Sequence, residues 1–217
     1  MIFMLKILAQ GILLTIWVII IETTAFAAVS FPGWIRIGVG DVASLQYPPT
    51  MEIQNDSYRS ISGAPSPGYN SIILQQYGLN QMTPDGVSRY ARVLFTTKNS
   101  DFGISLYDNL SFSQAELNEI NDSTYNATVQ DLAKINGRLL AWDPVQVINI
   151  NGVDCLYQNY KRQMSNNPIV NVHSFTFFNN RYFHTLTISY RDSEKSYWNA
   201  PGYDIRNVIQ TVEIKAL

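Results

Sequence analysis

The chain is poor in cysteine, histidine and charge: its 217 residues include one Cys, two His and only 15% Asp, Glu, Lys and Arg. A single Cys excludes an intrachain disulfide framework, which needs paired thiols. Basic and acidic residues number 15 and 17, so no basic surface of the kind that grips a nucleic-acid backbone is expected. Neither a Gly period nor a heptad is present, which excludes collagen and coiled coil. At 46% hydrophobic residues the chain is too apolar for a disordered tail. P-loop, G-x-S-x-G, H-E-x-x-H and EF-hand spacings are all missing.

The first segment reads as an address rather than as fold. Lys6 precedes an apolar run from Ile7 to Ile21, and Thr23-Thr24-Ala25-Phe26-Ala27 supplies small residues at an A-x-A cleavage site. Residues 1–28 are therefore expected to be a signal peptide cut after Ala27 or one residue later. The rival reading is an uncleaved anchor, although the run falls short of the roughly 20 residues that span a bilayer. After cleavage no membrane span is expected, and residues 29–217 form one domain, exported to the periplasm or beyond.

Beyond the leader, β-branched and aromatic runs bounded by Gly, Pro and Asn predict strands at Trp34–Val39, Ala43–Tyr47, Met51–Gln54, Ser71–Gly78, Arg89–Thr97, Val145–Ile150, Val153–Gln163, Ile169–Phe178 and Tyr182–Tyr190. Asn151-Gly152 predicts a type I′ hairpin, and Asn179-Asn180 a second one. Ser113-Gln114-Ala115-Glu116 is a capping box, opening one broken helix or two short ones between Gln114 and Ile135, with a fresh polar start at Asn121-Asp122-Ser123. Ile205, Val208, Ile209 and Val212 mark a terminal amphipathic helix, after a shorter turn at Ser193–Asn199. Asp56–Asn70 is a surface loop rich in Gly, Pro and Ser. Strands followed by segregated helices indicate an α+β fold, an antiparallel β-sheet covered by helices.

Ser44-Leu45-Gln46-Tyr47-Pro48-Pro49, the Tyr90-Ala91-Arg92-Val93 strand, the hairpin at Ile150-Asn151-Gly152, and Thr187-Ile188-Ser189-Tyr190-Arg191 with Glu194 and Trp198 before a last helix resemble the PsbP-like α/β/α sandwich. The resemblance spans roughly Ala43 to Val212. That fold group holds extrinsic photosystem II subunits, a yeast nuclear Ran-binding factor and many exported bacterial proteins. It implies a small accessory or binding protein and carries no catalytic residue onto this chain.

Chemistry-bearing constellations are few. Gly38-Val39-Gly40-Asp41-Val42-Ala43 matches G-x-G-x-x-A, but Leu45-Gln46-Tyr47 runs straight into Pro48-Pro49, so a turn is expected and not a dinucleotide site. Cys155 shares a face with Val153 and Tyr157 and reads as a buried core residue. A two-residue Asn179-Asn180 turn sets Phe178 opposite Arg181, Phe175 opposite His184 and Leu186 opposite His173. The two histidines then lie diagonally on one face, roughly 7 to 8 Å apart at the backbone. Their neighbours Phe175, Phe177, Tyr182, Leu186 and Ile188 offer no carboxylate or thiol to complete a metal shell, so packing or hydrogen bonding is the preferred reading. Asp154, Asp192 and Glu194 could meet Arg162 or Arg191 in solvated pairs.

No catalytic residue, metal or cofactor is expected. Contact residues for a partner or ligand are sought among Tyr157, Tyr160, Arg162, His173, His184, Tyr190, Arg191 and Trp198, since interfaces enrich Tyr, Trp and Arg. The rival reading is that the two cores of a helix-covered sheet consume these aromatics. The function expected is that of an exported non-enzymatic accessory or binding protein of the cell envelope. The alternative is a small-ligand or lipid carrier with an apolar pocket between sheet and helix. The partner is an unknown envelope protein or small ligand, not nucleic acid.

Overall fold

The structure, a computed structural model, describes residues 28–55 and 71–216. Residues 1–27 of the expected leader and the Asp56–Asn70 loop lie outside them.

Two sheets form where one was expected. β1 (Ile35–Val39) and β2 (Ala43–Tyr47) pair from Ile35↔Tyr47 to Val39↔Ala43, and β10 (Glu213–Ile214) adds to the other edge of β2. The G-x-G-x-x-A stretch is therefore a hairpin turn. The second, seven-stranded sheet joins β3 (Met51–Ile53), β4 (Ile72–Gln76), β5 (Ala91–Ile104), β9 (Val170–Arg191), β8 (Val153–Met164) and β6 (Gly137–Trp142) in that order, with β7 (Gln146–Ile150) also on β8. Every pairing is antiparallel. Between β7 and β8, Ile150 pairs with Val153 across Asn151 (φ 52) and Gly152 (φ 81), the two left-handed residues of a type I′ turn.

β9 is hydrogen-bonded as strand over its whole length, yet it doubles back as a hairpin. Thr176 and Thr185 hydroxyls lie 3.4 Å apart and the His173 and Tyr190 rings 5.9 Å apart, which a straight strand would hold tens of ångströms apart. Its N-terminal arm pairs with β8 and its C-terminal arm with β5. The register differs from the sequence expectation: His173 meets Tyr190 rather than Leu186. Asn179 remains in the strand, its amide held by the His184 ring and the Lys215 carbonyl, while Asn180 carries the positive φ of 56°.

Side chains alternate across this sheet with period 2. Val93, Phe95, Phe175, Phe177, Leu186, Ile188 and Tyr190 face one way and join Leu45, Trp198, Ile205 and Val208 in the core between the two sheets. Cys155 is fully buried among them. Residues 160, 162, 172, 187 and 189 face the other way.

On that second face lies α2 (Gln114–Lys134), preceded in the chain by α1 (Pro84–Ser88) and followed by α3 (Lys195–Trp198). The capping box of α2 forms as the sequence implies, with Ser113 and Glu116 bonded reciprocally. The helix is a single unbroken one. Asn121, expected to restart it, instead accepts hydrogen bonds from the Trp142 indole (2.9 Å) and the Val145 N–H (3.2 Å), so its side chain is spent on β6 and not on a cap.

The terminal stripe is likewise not an α-helix. Ile205–Thr211 is a 3-10 helix in which Ile205, Val208 and Thr211 are all buried, at the three-residue spacing of that helix. The Thr211 hydroxyl fixes it to β2 by accepting from Gln46 N–H at 2.8 Å.

α1 was not expected from sequence. Its N-cap Thr83 accepts from Gly86 N–H, and Gly86 lies so close to Gly78 that an added Cβ would stand 2.5 Å from the Gly78 carbonyl carbon. Gly86→Ala should cost about 1–3 kcal/mol by overpacking against immovable backbone. Gly38→Ala, whose nearest atom would be 3.9 Å away, should leave the urea midpoint within error.

Candidate functional site

The residues expected to contact a partner divide between the two faces. Tyr157, His173 and Tyr190 come together on the core face: Tyr157 OH lies 2.9 Å from His173 Nδ1, and His173 Nε2 lies 3.4 Å from Tyr190 OH. The three rings form a near-parallel stack. Trp198 is in the same core, 1% exposed. His184, also on the core side, forms a separate site. Asn179 Nδ2 donates to its Nε2 at 3.1 Å, which leaves the proton on Nδ1 to donate to Thr97 Oγ1 at 2.9 Å. The histidines therefore share no ligand, and no group of three His, Cys, Asp or Glu that could hold a metal exists among the described residues.

Among the described residues Asp154, Asp192 and Glu194 meet partners other than Arg162 and Arg191. Asp192 binds Lys161 (3.1 Å) and the Asn171 amide (2.7 Å), Glu194 lies 4.0 Å from Arg89, and Asp154 accepts from Asn149 (2.7 Å) and Leu110 N–H (3.1 Å). Arg191 donates to the Ser88 carbonyl and is used in holding the chain before β5. Even-numbered positions on β8 face away from the odd ones, and this alternation, invisible until the register is known, separates Tyr160 and Arg162 from Tyr157.

Tyr160 and Arg162 stand in a cleft of about 310 Å³ between the last turns of α2 and the second face of the sheet. Thr128, Asp131, Leu132 and Ile135 line it from the helix side, and Tyr160, Arg162, Val172, Thr187 and Ser189 from the sheet. The helix is held off the sheet because so little of it is apolar on the inner side. Leu132 is its one buried residue, while Leu117, Ile120, Thr124 and Thr128 are half-buried. Trp142 anchors the helix over β6, with Tyr125 edge-on at 5.3 Å and Tyr160 tilted at 6.0 Å. Tyr160 and Arg162 were legible in the sequence, whereas Thr128 opposite them was not singled out; its i, i+4 spacing from Leu132 was the available signal.

The reactive groups of the core are disarmed. Burial, with the Asp154 charge beside it, pushes the Cys155 thiol up to about 12. Burial lowers His173 to about 4, helped by Arg206, and burial alone lowers His184 to about 4. Burial also raises the Tyr160 hydroxyl, against a smaller opposing effect of Arg162. At these values Cys155, His173 and His184 are all neutral near pH 7.

The histidines set a pH dependence. An unfolded imidazole titrates near 6.5, a folded one here near 4, so between those values the unfolded chain binds more protons. Their contribution to stability is complete above about pH 6.5 and is lost as pH falls towards 4, at up to about 1.4 kcal/mol per pH unit for each histidine. Urea midpoints measured from pH 7 to pH 4.5 should decline, and His184→Gln should reduce the slope.

No protein-family model matches this chain, and neither does any curated protein sequence. Solved structures do resemble it. Cyanobacterial PsbP (CyanoP) from Synechocystis sp. PCC 6803 superposes with a TM-score of 0.54 at 11% identity, over 86% of this chain and 95% of that one. LpqN, involved in cell envelope biogenesis of Mycobacterium tuberculosis, gives 0.45 at 12% identity over 84% and 91%. A protein from Bacteroides thetaiotaomicron gives 0.44 at 12% identity over 83% of this chain and 48% of that one, so this chain spans about half its length. Identities this low speak to architecture alone. The two antiparallel sheets, the filled core between them and the helix over the outer face are a PsbP-like α+β fold.

Proposed function

We propose that the chain is an exported, non-enzymatic accessory protein of the cell envelope that acts by binding, and that the cleft beneath α2 is its binding surface. The observation that carries this reading is the poor burial of α2. A helix of 21 residues with one buried side chain leaves the sheet face under it partly open, where a helix of purely structural use would bury an apolar stripe. The leader-like residues 1–28 support export, and among the described residues no helix is long and apolar enough to cross a membrane. The disarmed thiol and imidazoles support the non-enzymatic part. A carrier of small ligands is the second reading, favoured by the volume of the cleft, although its lining mixes hydroxyls and a guanidinium with only Leu132, Ile135 and Val172 as sizeable apolar groups.

Recovery of the protein from its own host tests both parts. Native mass spectrometry should show a chain lacking the first 27 or 28 residues. A photo-crosslinker at exposed Val129 on α2 should capture an envelope component, and one at Lys98 on β5 should not. An intact 217-residue chain would argue for the anchor instead of cleavage, and equal capture at both positions would remove α2 from the binding surface.

A further inference from the structure

Resting on the reading of the cleft as a binding surface, we infer that it takes a small amphiphile with an oxyanion head and a short apolar tail, the head held by Arg162. Arg162 is half-buried in the cleft wall, and no ion pair or side-chain hydrogen bond holds its guanidinium among the described residues. The hydroxyls of Tyr160, Thr128 and Thr187 in the same lining also have no partner there. Ser189 is bonded, but weakly, at 3.4 Å to the Arg92 carbonyl and 3.5 Å from Tyr90 OH.

Four polar side chains that could donate therefore converge on a space where one acidic residue appears. That residue, Asp131, is already neutralised by Lys134 at 2.6 Å, and both are well exposed at the rim. On the sheet beside the cleft, Gln158 follows the same face two residues from Tyr160; it is 8% exposed, and its Nε2 has no acceptor. A guanidinium left without a counter-charge in a half-buried place is matched best by a planar or tetrahedral oxyanion, which it meets through two parallel N–H bonds.

The tail follows from the rest of the lining. Leu132, Ile135 and Val172 give the cleft an apolar strip beside its polar group, and about 310 Å³ lies at the small end of ligand pockets. The C-terminal end of α2 is unfavourable to an anion, so the head belongs at the sheet wall near Arg162 and the tail along the helix.

The test uses octanoate, octyl phosphate and 1-octanol, titrated into the protein purified from its host and followed by calorimetry and by amide chemical shifts. One or both anions should bind at a single site at least tenfold more tightly than octanol, shifting Thr187 and Ser189. Which anion is preferred distinguishes a carboxylate source from a phosphate source. Arg162→Gln should weaken the anion at least tenfold and leave octanol unchanged, whereas Arg138→Gln, whose side chain sits outside on Gln163, should change neither.

If Arg162→Gln fails to fold, Arg162→Lys decides: keeping the charge without the fork, it should bind the anion more weakly than wild type, and equal affinity overturns the inference. Anions binding no better than octanol, or shifts confined to other surfaces, also overturn it. Should that happen while Val129 still crosslinks to an envelope component, only the ligand class falls and the binding reading stands.

Discussion

The whole architecture rests on the alternation of side chains along β8, β9 and β5. β9 contributes both arms of the central hairpin, so its register decides which residues enter the core and which look at α2. Phe175, Phe177, Leu186 and Ile188 go inward, and Val172, Thr187 and Ser189 go outward. A slip of one residue would drive the hydroxyls into the core and the phenyl rings under the helix, at a cost no other contact could offset. Pairing with β5 over Ala91↔Tyr190 to Asn99↔Tyr182 prevents that slip, because nine consecutive partners must move together.

How far the sequence foretold this depended on whether the signal was local. Asn151-Gly152 and Ser113 to Glu116 encode their turn and cap within four residues, and both form as read. The strands around them were legible for the same reason, since alternation is a local pattern. What failed was non-local. The β9 turn, at Asn179-Asn180 and without a Gly, did not specify its register; the Asn179 amide is held by His184 on the returning arm and by the Lys215 carbonyl, 36 residues on. The separation of β1, β2 and β10 into a second sheet depends on residues at opposite ends of the domain, and no strand was expected at β6. At the candidate site, residue types were legible but facing was not: Tyr157 and Tyr160 look alike in sequence and lie on opposite sides of the sheet.

The core buries its titratable groups in neutral form. Cys155, His173 and His184 are each held in the neutral form by burial, and each imidazole finds hydroxyl or amide partners in place of a charge. Neutral groups with satisfied hydrogen bonds are the inexpensive way to bury polarity, and a triad or metal shell would require at least one more charged neighbour. The Tyr157-His173-Tyr190 stack reaches from β8 across both arms of β9.

The outer face follows the opposite logic. α2 begins with a complete capping box and ends with Lys134 in its last turn, so the helix is well defined along its own axis. Its attachment is another matter. Burial of Leu132 contributes on the order of 1.5–3 kcal/mol, and the Asn121 bonds to Trp142 and Val145 add a polar clamp at the other end of the cleft. Between those two attachments half-buried Thr124 and Thr128 face the sheet, and Tyr125 meets Trp142 edge-on. The sheet beneath is braced by long ladders on both sides. On the reading of the cleft as a binding surface, a guest would enter by small movements of the helix alone, since opening energies are lowest where few apolar contacts must break. The same sparse contact that makes α2 a poor core helix therefore leaves half-buried Arg162 and Tyr160 beneath it without bearing on the register on which the fold depends.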